Sequence, residues 1–326
     1  MNLLDRHLLF VTGKGGVGKT TVAAALAQLA AQQGRRTLVC EMDAKGSLAA
    51  AFDCSPFPYT PRQIDTADAT GSLFAMAMNT EDSLREYLKL FIRIPFVGRI
   101  GPLARTFDFV ADAAPGVKEI LAIGKLCYEV RERNYDLVVV DAEATGHIVG
   151  QIGAPRVISE LVQVGLVKDQ TKWMLDILED PARTGLVTVT TPEEMPVNET
   201  IDLLAQVALQ THVDSAAIVV NRVLPALFGV REAQVFDELF DADAQAQLVA
   251  AAGKHVVDVM EAARMNESRR RIGAGHLERL RETLESGAAN GGSGAAEMVY
   301  LPELFTRATG RRVVSLVADA LSEEIS

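Results

Sequence analysis

Residues 13–20 read Gly13-Lys14-Gly15-Gly16-Val17-Gly18-Lys19-Thr20. The octet fits G-x-x-x-x-G-K-[ST], in which glycines let the backbone curl so that successive N–H groups point inward at phosphate. Its flanks suit the pattern. His7 to Thr12 (HLLFVT) has the short, continuous apolar character of a buried strand, and Thr21 to Ala31 (TVAAALAQLAA) is rich in helix formers. Strand, glycine loop and helix N-terminus in that order make a phosphate site, because the helix end adds positive potential where the loop donates its N–H groups. On this pattern Gly13, Gly15, Gly16, Val17 and Gly18 supply backbone, and Thr21 joins them from the first helical turn. Lys19 reaches the β- and γ-phosphates of a nucleotide, and the Thr20 hydroxyl ligates Mg²⁺.

Working outward, strands and helices alternate. Apolar runs at Arg36–Met42, Leu73–Met78, Tyr135–Val140, Gly185–Thr191, Ala216–Val220 and Met298–Leu304 read as buried strands. Helical stretches lie at Val149–Glu179, Val197–Leu209, Arg231–Glu285 and Arg312–Ile325, and residues 56–66, with three prolines, read as an ordered loop. Such alternation predicts an α/β fold: one doubly wound, mainly parallel sheet, helices on both faces, and ligands at the carboxyl ends of the strands. The expected organisation is a single domain over 1–326. It carries a helical insertion at about 80–133, opened by Thr80-Glu81-Asp82, and a flexible glycine-, serine- and alanine-rich loop at 287–296.

Composition narrows the partners. Among 326 residues, 43 acidic against 32 basic give a net charge of −11, which argues against sequence-independent nucleic-acid binding. No apolar run reaches the length of a membrane span, and no signal-peptide pattern precedes the first strand. The three cysteines, Cys40, Cys54 and Cys127, are too dispersed for a zinc spacing or a disulfide framework. These features predict a cytoplasmic protein, with any membrane contact made through a partner.

Lys14 makes the loop a deviant form, G-K-G-G-V-G-K-T. That form resembles the dimeric P-loop ATPases of the arsenite-pump (ArsA), tail-anchored-protein-targeting, ParA, MinD and nitrogenase iron-protein group. The resemblance implies that Lys14 crosses a dimer interface to the partner's nucleotide. Residues 43–52 resemble the group's first switch, D-P-A-H-N-L-S-D-A-F, so that Asp43 would orient the attacking water and stand with Thr20 and Asp141 at Mg²⁺. The proline, histidine and asparagine of that pattern are replaced by Ala44, Gly46 and Ser47, so the motif does not say how rigidly this switch is held. Read without the resemblance, Asp43 is a turn or cap residue at a strand end.

Residues 141–147 (DAEATGH) resemble the second switch, D-T-A-P-T-G-H. Asp141 then binds Mg²⁺ through water, and Thr145, Gly146 and His147 close a loop that moves when phosphate leaves. Glu143 stands where the pattern has alanine, as an added base or as an exposed loop acid. Asn221, followed by Arg222, matches the group's adenine-reading asparagine, and Pro302 lies in a loop resembling the one that covers the base. The segment Ala114-Pro115-Gly116-Val117-Lys118-Glu119 resembles the arsenite-pump and targeting branch and not typical ParA or MinD sequences. The chain looks closest to the single-domain ArsA-like ATPases of actinobacteria.

The expected function is therefore an Mg²⁺-dependent ATPase that dimerises around ATP, with a second copy or a paralogous ATPase, and couples hydrolysis to a protein partner. The apolar stretch Tyr87–Val110 in the insertion reads first as internal or dimer packing and second as a client surface. One alternative is an ATP-binding regulatory subunit with little activity of its own, acting with a paralogue. A ParA- or MinD-type positioning ATPase fits less well, given the acidic balance and a C-terminus ending in Glu323-Glu324. Arsenite transport fits poorly too, because it needs clustered cysteines.

Overall fold

The computed structural model describes residues 3–66, 69–88, 116–161, 165–286 and 296–325. Eight strands form one sheet: β1 (Leu8–Gly13), β2 (Arg36–Glu41), β3 (Arg62–Ile64), β4 (Ser72–Ala77), β5 (Leu137–Asp141), β6 (Thr184–Thr190), β7 (Ser215–Val223) and β8 (Glu297–Pro302). Their order is β3-β4-β2-β5-β1-β6-β7-β8, and every neighbouring pair is parallel except β3–β4. The chain leaves β1 towards β2 on one side and later returns past it, from β5 to β6, on the other. The crevice beyond the carboxyl end of β1 is thus the topological switch point, where such sheets bind ligands.

Eleven helices are described: α1 (Lys19–Gln32), α2 (Ser47–Ala51), α3 (Thr80–Tyr87), α4 (Val117–Arg131), α5 (Thr145–Leu161), α6 (Gly165–Leu178), α7 (Glu194–Gln210), α8 (Val230–Glu238), α9 (Ala242–Ala252), α10 (His255–Glu285) and α11 (Arg311–Glu324). The period-two side-chain alternation of the central strands sorts the core into two layers. Leu9, Val11, Val39 and Val139 pack on α1 and α11 through Leu26, Val314 and Leu321. Leu8, Phe10, Leu38 and Val140 face the other way, onto Ile123, Leu126, Ile152, Met174 and Leu203 of α4 to α7. Covering both faces explains why β1, β5 and β6 are buried from end to end. Each such Leu or Val contributes about 1.5–3 kcal/mol by leaving water.

Several boundaries differ from expectation. Within the proline-rich stretch at 56–66, Arg62–Ile64 pair antiparallel with β4 as a three-residue edge strand, a cross-strand pairing that local sequence does not signal. The helix of the insertion is capped by Asn79, not Thr80: the Asn79 side chain accepts the Asp82 N–H at 3.0 Å, ahead of the acids Glu81 and Asp82. Residues 231–285 divide into three helices, the middle one starting after Asp241 and ending at Gly253 with φ +82°. Helix α5 begins at Thr145, four residues before the expected start at Val149. Most of Tyr87–Val110, the residues Ala114 and Pro115, and 287–295 of the glycine-rich stretch lie outside the described residues.

Candidate nucleotide-binding site

Residues 13–20 join β1 to α1 as expected, with Gly18 as the N-cap of α1. Gly18 has φ +100°, a conformation that favours glycine, and a Cβ there would push the Asn221 amide aside. Asn221 Nδ2 donates to the Val17 carbonyl at 2.8 Å, and its Oδ1 accepts the Arg222 N–H at 2.9 Å. The asparagine expected to read adenine therefore staples the end of β7 to the phosphate loop in this state. Gly18, Thr21, Asn221, Arg222 and Pro302, spread over almost the whole sequence, meet around a cavity of about 200 Å³ that Leu304 and Thr306 also line.

The inner part of the site is dense. Thr20 Oγ1 donates to Asp141 Oδ2 at 2.7 Å, and Asp141 is 7% exposed at the end of β5. Burial raises the Asp141 carboxyl from 3.8 to about 6; Glu41 and Asp43 push the same way, while the Thr20 hydrogen bond and Lys19 oppose. Lys19 Nζ donates to the Lys14 carbonyl at 3.2 Å. Desolvation lowers its pKa first, with Lys45 adding to the effect and Asp141 and Glu199 opposing it. A buried, under-compensated carboxylate bonded to a hydroxyl is a hard-oxygen pair of the kind that suits Mg²⁺, so Thr20 and Asp141 fit that cation.

The outer part is built from ion pairs. Lys14 pairs with Glu199 of α7, which lies in the same chain, and Glu199 Oε2 also accepts the Thr145 hydroxyl at 3.1 Å. These hydrogen bonds, that of Lys14 above all, hold the Glu199 carboxyl below its usual range. Nothing in the local sequence marked Glu199: its partners are 185 and 54 residues away. Asp43 is exposed and pairs with Lys45. The run Thr145-Gly146-His147, expected in a loop, forms the first turn of α5, so Gly146 sits in a helix. Glu143 is held there: its carbonyl accepts the Thr12 hydroxyl at 2.8 Å, and its carboxylate accepts Gln151 Nε2 at 2.8 Å. His147 stays exposed, 4.0 Å from that carboxylate. Cys40 and Cys127 are buried and their thiols are pushed well above the ordinary range by desolvation, as expected of inert cysteines.

The model of the anion-transporting ATPase family matches residues 6–169 and 161–233. The chain is 34% identical over 226 residues to the ATPase BagA of Mycobacterium tuberculosis, covering 68% of this chain and 66% of that protein's length. It is 28% identical over 263 residues to an ATPase ASNA1 homolog of Paramecium tetraurelia (68% and 78% of the two lengths). It is 25% identical over 261 residues to an ATPase ASNA1 homolog of Entamoeba dispar (67% and 76%).

Proposed function

Because the chain belongs to the anion-transporting ATPase family, we propose that it hydrolyses ATP with Mg²⁺, dimerising around the nucleotide and using turnover to change its grip on a protein partner. The observation that carries this reading is the Thr20–Asp141 hydrogen bond beneath the phosphate loop, beside a partly desolvated Lys19. The whole chain is read as one ATPase unit, since the sheet recruits strands from Leu8 to Pro302. It is placed in the cytoplasm, in keeping with its dispersed cysteines. Among the described residues no helix is long and apolar enough to cross a membrane, so membrane contact would come through a partner.

In this reading the loop N–H groups from Gly15 to Thr21 and the Lys19 ammonium hold the β- and γ-phosphates. Thr20, Asp141 and Asp43 would hold Mg²⁺, which when bound supplies positive charge against the phosphate oxygens. Asp43 leaves Lys45 to hydrogen-bond the attacking water, and Lys14 leaves Glu199 to reach the nucleotide of a second copy. Asn221, Arg222 and Pro302 border the base. A second reading, an ATP-binding regulatory subunit that acts with a paralogous ATPase, is favoured by one observation: Lys14 and Asp43 are both already paired within the chain.

Steady-state hydrolysis across a protein-concentration series tests both, with Lys14→Ala and Asp43→Asn alongside. Specific activity that rises with concentration, and falls about 100-fold or more in each variant, supports the self-sufficient dimer. A chain that binds ATP and stays inert at every concentration overturns it in favour of the regulatory subunit.

A further inference from the structure

Glu41 is the last residue of β2, opposite Asp141 in register, and only 3% exposed. Its side chain turns along the chain, not across the sheet. Oε1 accepts the N–H of Ser47 at 2.7 Å and of Leu48 at 3.3 Å, and Oε2 accepts that of Gly46 at 3.3 Å. These donors open α2, whose N-cap is Gly46, with φ +79° and no capping side chain of its own. A carboxylate is the strongest available acceptor for such N–H groups, and it also suits the positive end of a helix.

Residues 42–45 are therefore closed at their base by one residue. The backbone of Glu41 starts the loop, and the carboxylate of Glu41 ends it. The start is pinned further, since Met78 N donates to the Glu41 carbonyl at 2.8 Å and Met42 N to the Asp141 carbonyl at 3.1 Å. Asp43 and Lys45 sit on this short span, with Ala44 in a left-handed conformation at φ +42° between them. Ala44, Gly46 and Ser47 stand where the resembling pattern has proline, histidine and asparagine. The anchor comes from the strand instead.

We infer that Glu41 is a positioning residue for ATP hydrolysis: by gripping the backbone N–H groups of Gly46, Ser47 and Leu48 it fixes where Asp43 stands relative to the phosphate loop. Every hydrogen bond of the Glu41 carboxylate given above goes to backbone N–H groups of residues 46–48, so in this inference it acts through Asp43. The inference rests on the ATPase reading above. Misplacing a water-orienting carboxylate by about 1 Å costs on the order of 100-fold in rate while leaving phosphate contacts intact, so the signature is a loss of kcat without a loss of nucleotide affinity.

The test compares Glu41→Ala and Glu41→Gln with the unaltered chain, using steady-state ATP hydrolysis, fluorescent-ADP affinity and limited proteolysis at 42–48. Glu41→Ala is expected to lower kcat about tenfold to 100-fold, keep ADP affinity within about threefold, and open the loop to cleavage. Glu41→Gln retains the oxygen that serves Ser47 and Leu48 and loses the Gly46 bond, so it should recover most of the lost kcat. The inference is overturned if folded Glu41→Ala keeps its kcat, or if both variants lose kcat and ADP affinity in parallel. Should the unaltered chain itself be inert, the self-sufficient ATPase reading fails separately. Glu41 is then judged by proteolysis alone: protection in the unaltered chain that is lost in Glu41→Ala supports it, and unchanged cleavage overturns it.

Discussion

Two lysines of one loop are held in opposite ways. Lys19 is half-buried, bonded to the loop's own carbonyl at Lys14, and feels the charge of Asp141, which Thr20 hydrogen-bonds. Lys14 leaves the loop at the rim and spends its charge on Glu199, a residue of another helix. The inner group is complete within one chain and has nowhere else to go. The outer group is made of the exposed Asp43–Lys45 pair and the one-third-exposed Lys14–Glu199 pair, the latter worth less than about 1 kcal/mol. In the proposed function the buried inner group holds the nucleotide, and the weakly paired outer group exchanges partners.

The largest expected effect tests the inner group. Lys19→Ala should weaken ADP and ATP binding about 100- to 1,000-fold, since it removes the one ammonium the loop aims inward. Lys14→Ala should change ADP affinity less than about threefold, as expected for a rim charge paired elsewhere. Titration with a fluorescent nucleotide measures both, and similar losses in the two variants would erase the distinction between inner and outer groups.

What the sequence made legible follows the same division. The phosphate loop and Asp141 are announced locally, because strand, glycines and helix are contiguous and an apolar run delivers the aspartate. The two central sheet faces were legible through apolar continuity. Glu199 and Glu41 were not, for different physical reasons. Glu199 meets Lys14 only after β1 and β6 become neighbours. Glu41 looks like one more strand residue until its side chain is seen to turn back along the chain. Asn221 was found, but not what it does in this state, because its staple to Val17 depends on how closely β7 approaches the loop. The split of residues 231–285 at Asp241 and Gly253 was available locally, as an acid of a type common at helix starts and a helix-ending glycine, in a stretch read as continuous.

The second effect concerns the cost of the inner group. The Asp141 carboxyl rises from 3.8 to about 6 on folding, so the native state holds its proton more tightly than the unfolded chain does. The folded protein is favoured by this group below pH 3.8, and that advantage is lost as pH rises through 6. At pH 7 the ionised carboxylate costs about 3 kcal/mol relative to an unperturbed one. Asp141→Asn, similar in shape and never charged, should therefore gain on the unaltered chain between pH 4.5 and pH 7, by up to about 3 kcal/mol in metal-free urea denaturation. Adding Mg²⁺ with ADP should shrink the gap for the unaltered chain alone. A difference that does not change with pH would mean that Asp141 is not strained by its burial.

The smallest effect has the most to say about the outer group. If Lys14 acts on a second copy's nucleotide, its pair with Glu199 competes with assembly, and loosening the pair should favour the active dimer. Because the pair is worth less than about 1 kcal/mol, Glu199→Gln can raise specific activity at limiting protein concentration by no more than about fivefold. The gain should fade at high concentration, where assembly is already complete. The opposite result is equally informative, since Glu199 also accepts the Thr145 hydroxyl. If Glu199→Gln loses as much activity as Lys14→Ala at every concentration, Glu199 serves hydrolysis by holding the first turn of α5 to the phosphate loop, and the pair is part of the working site and not a resting place for Lys14.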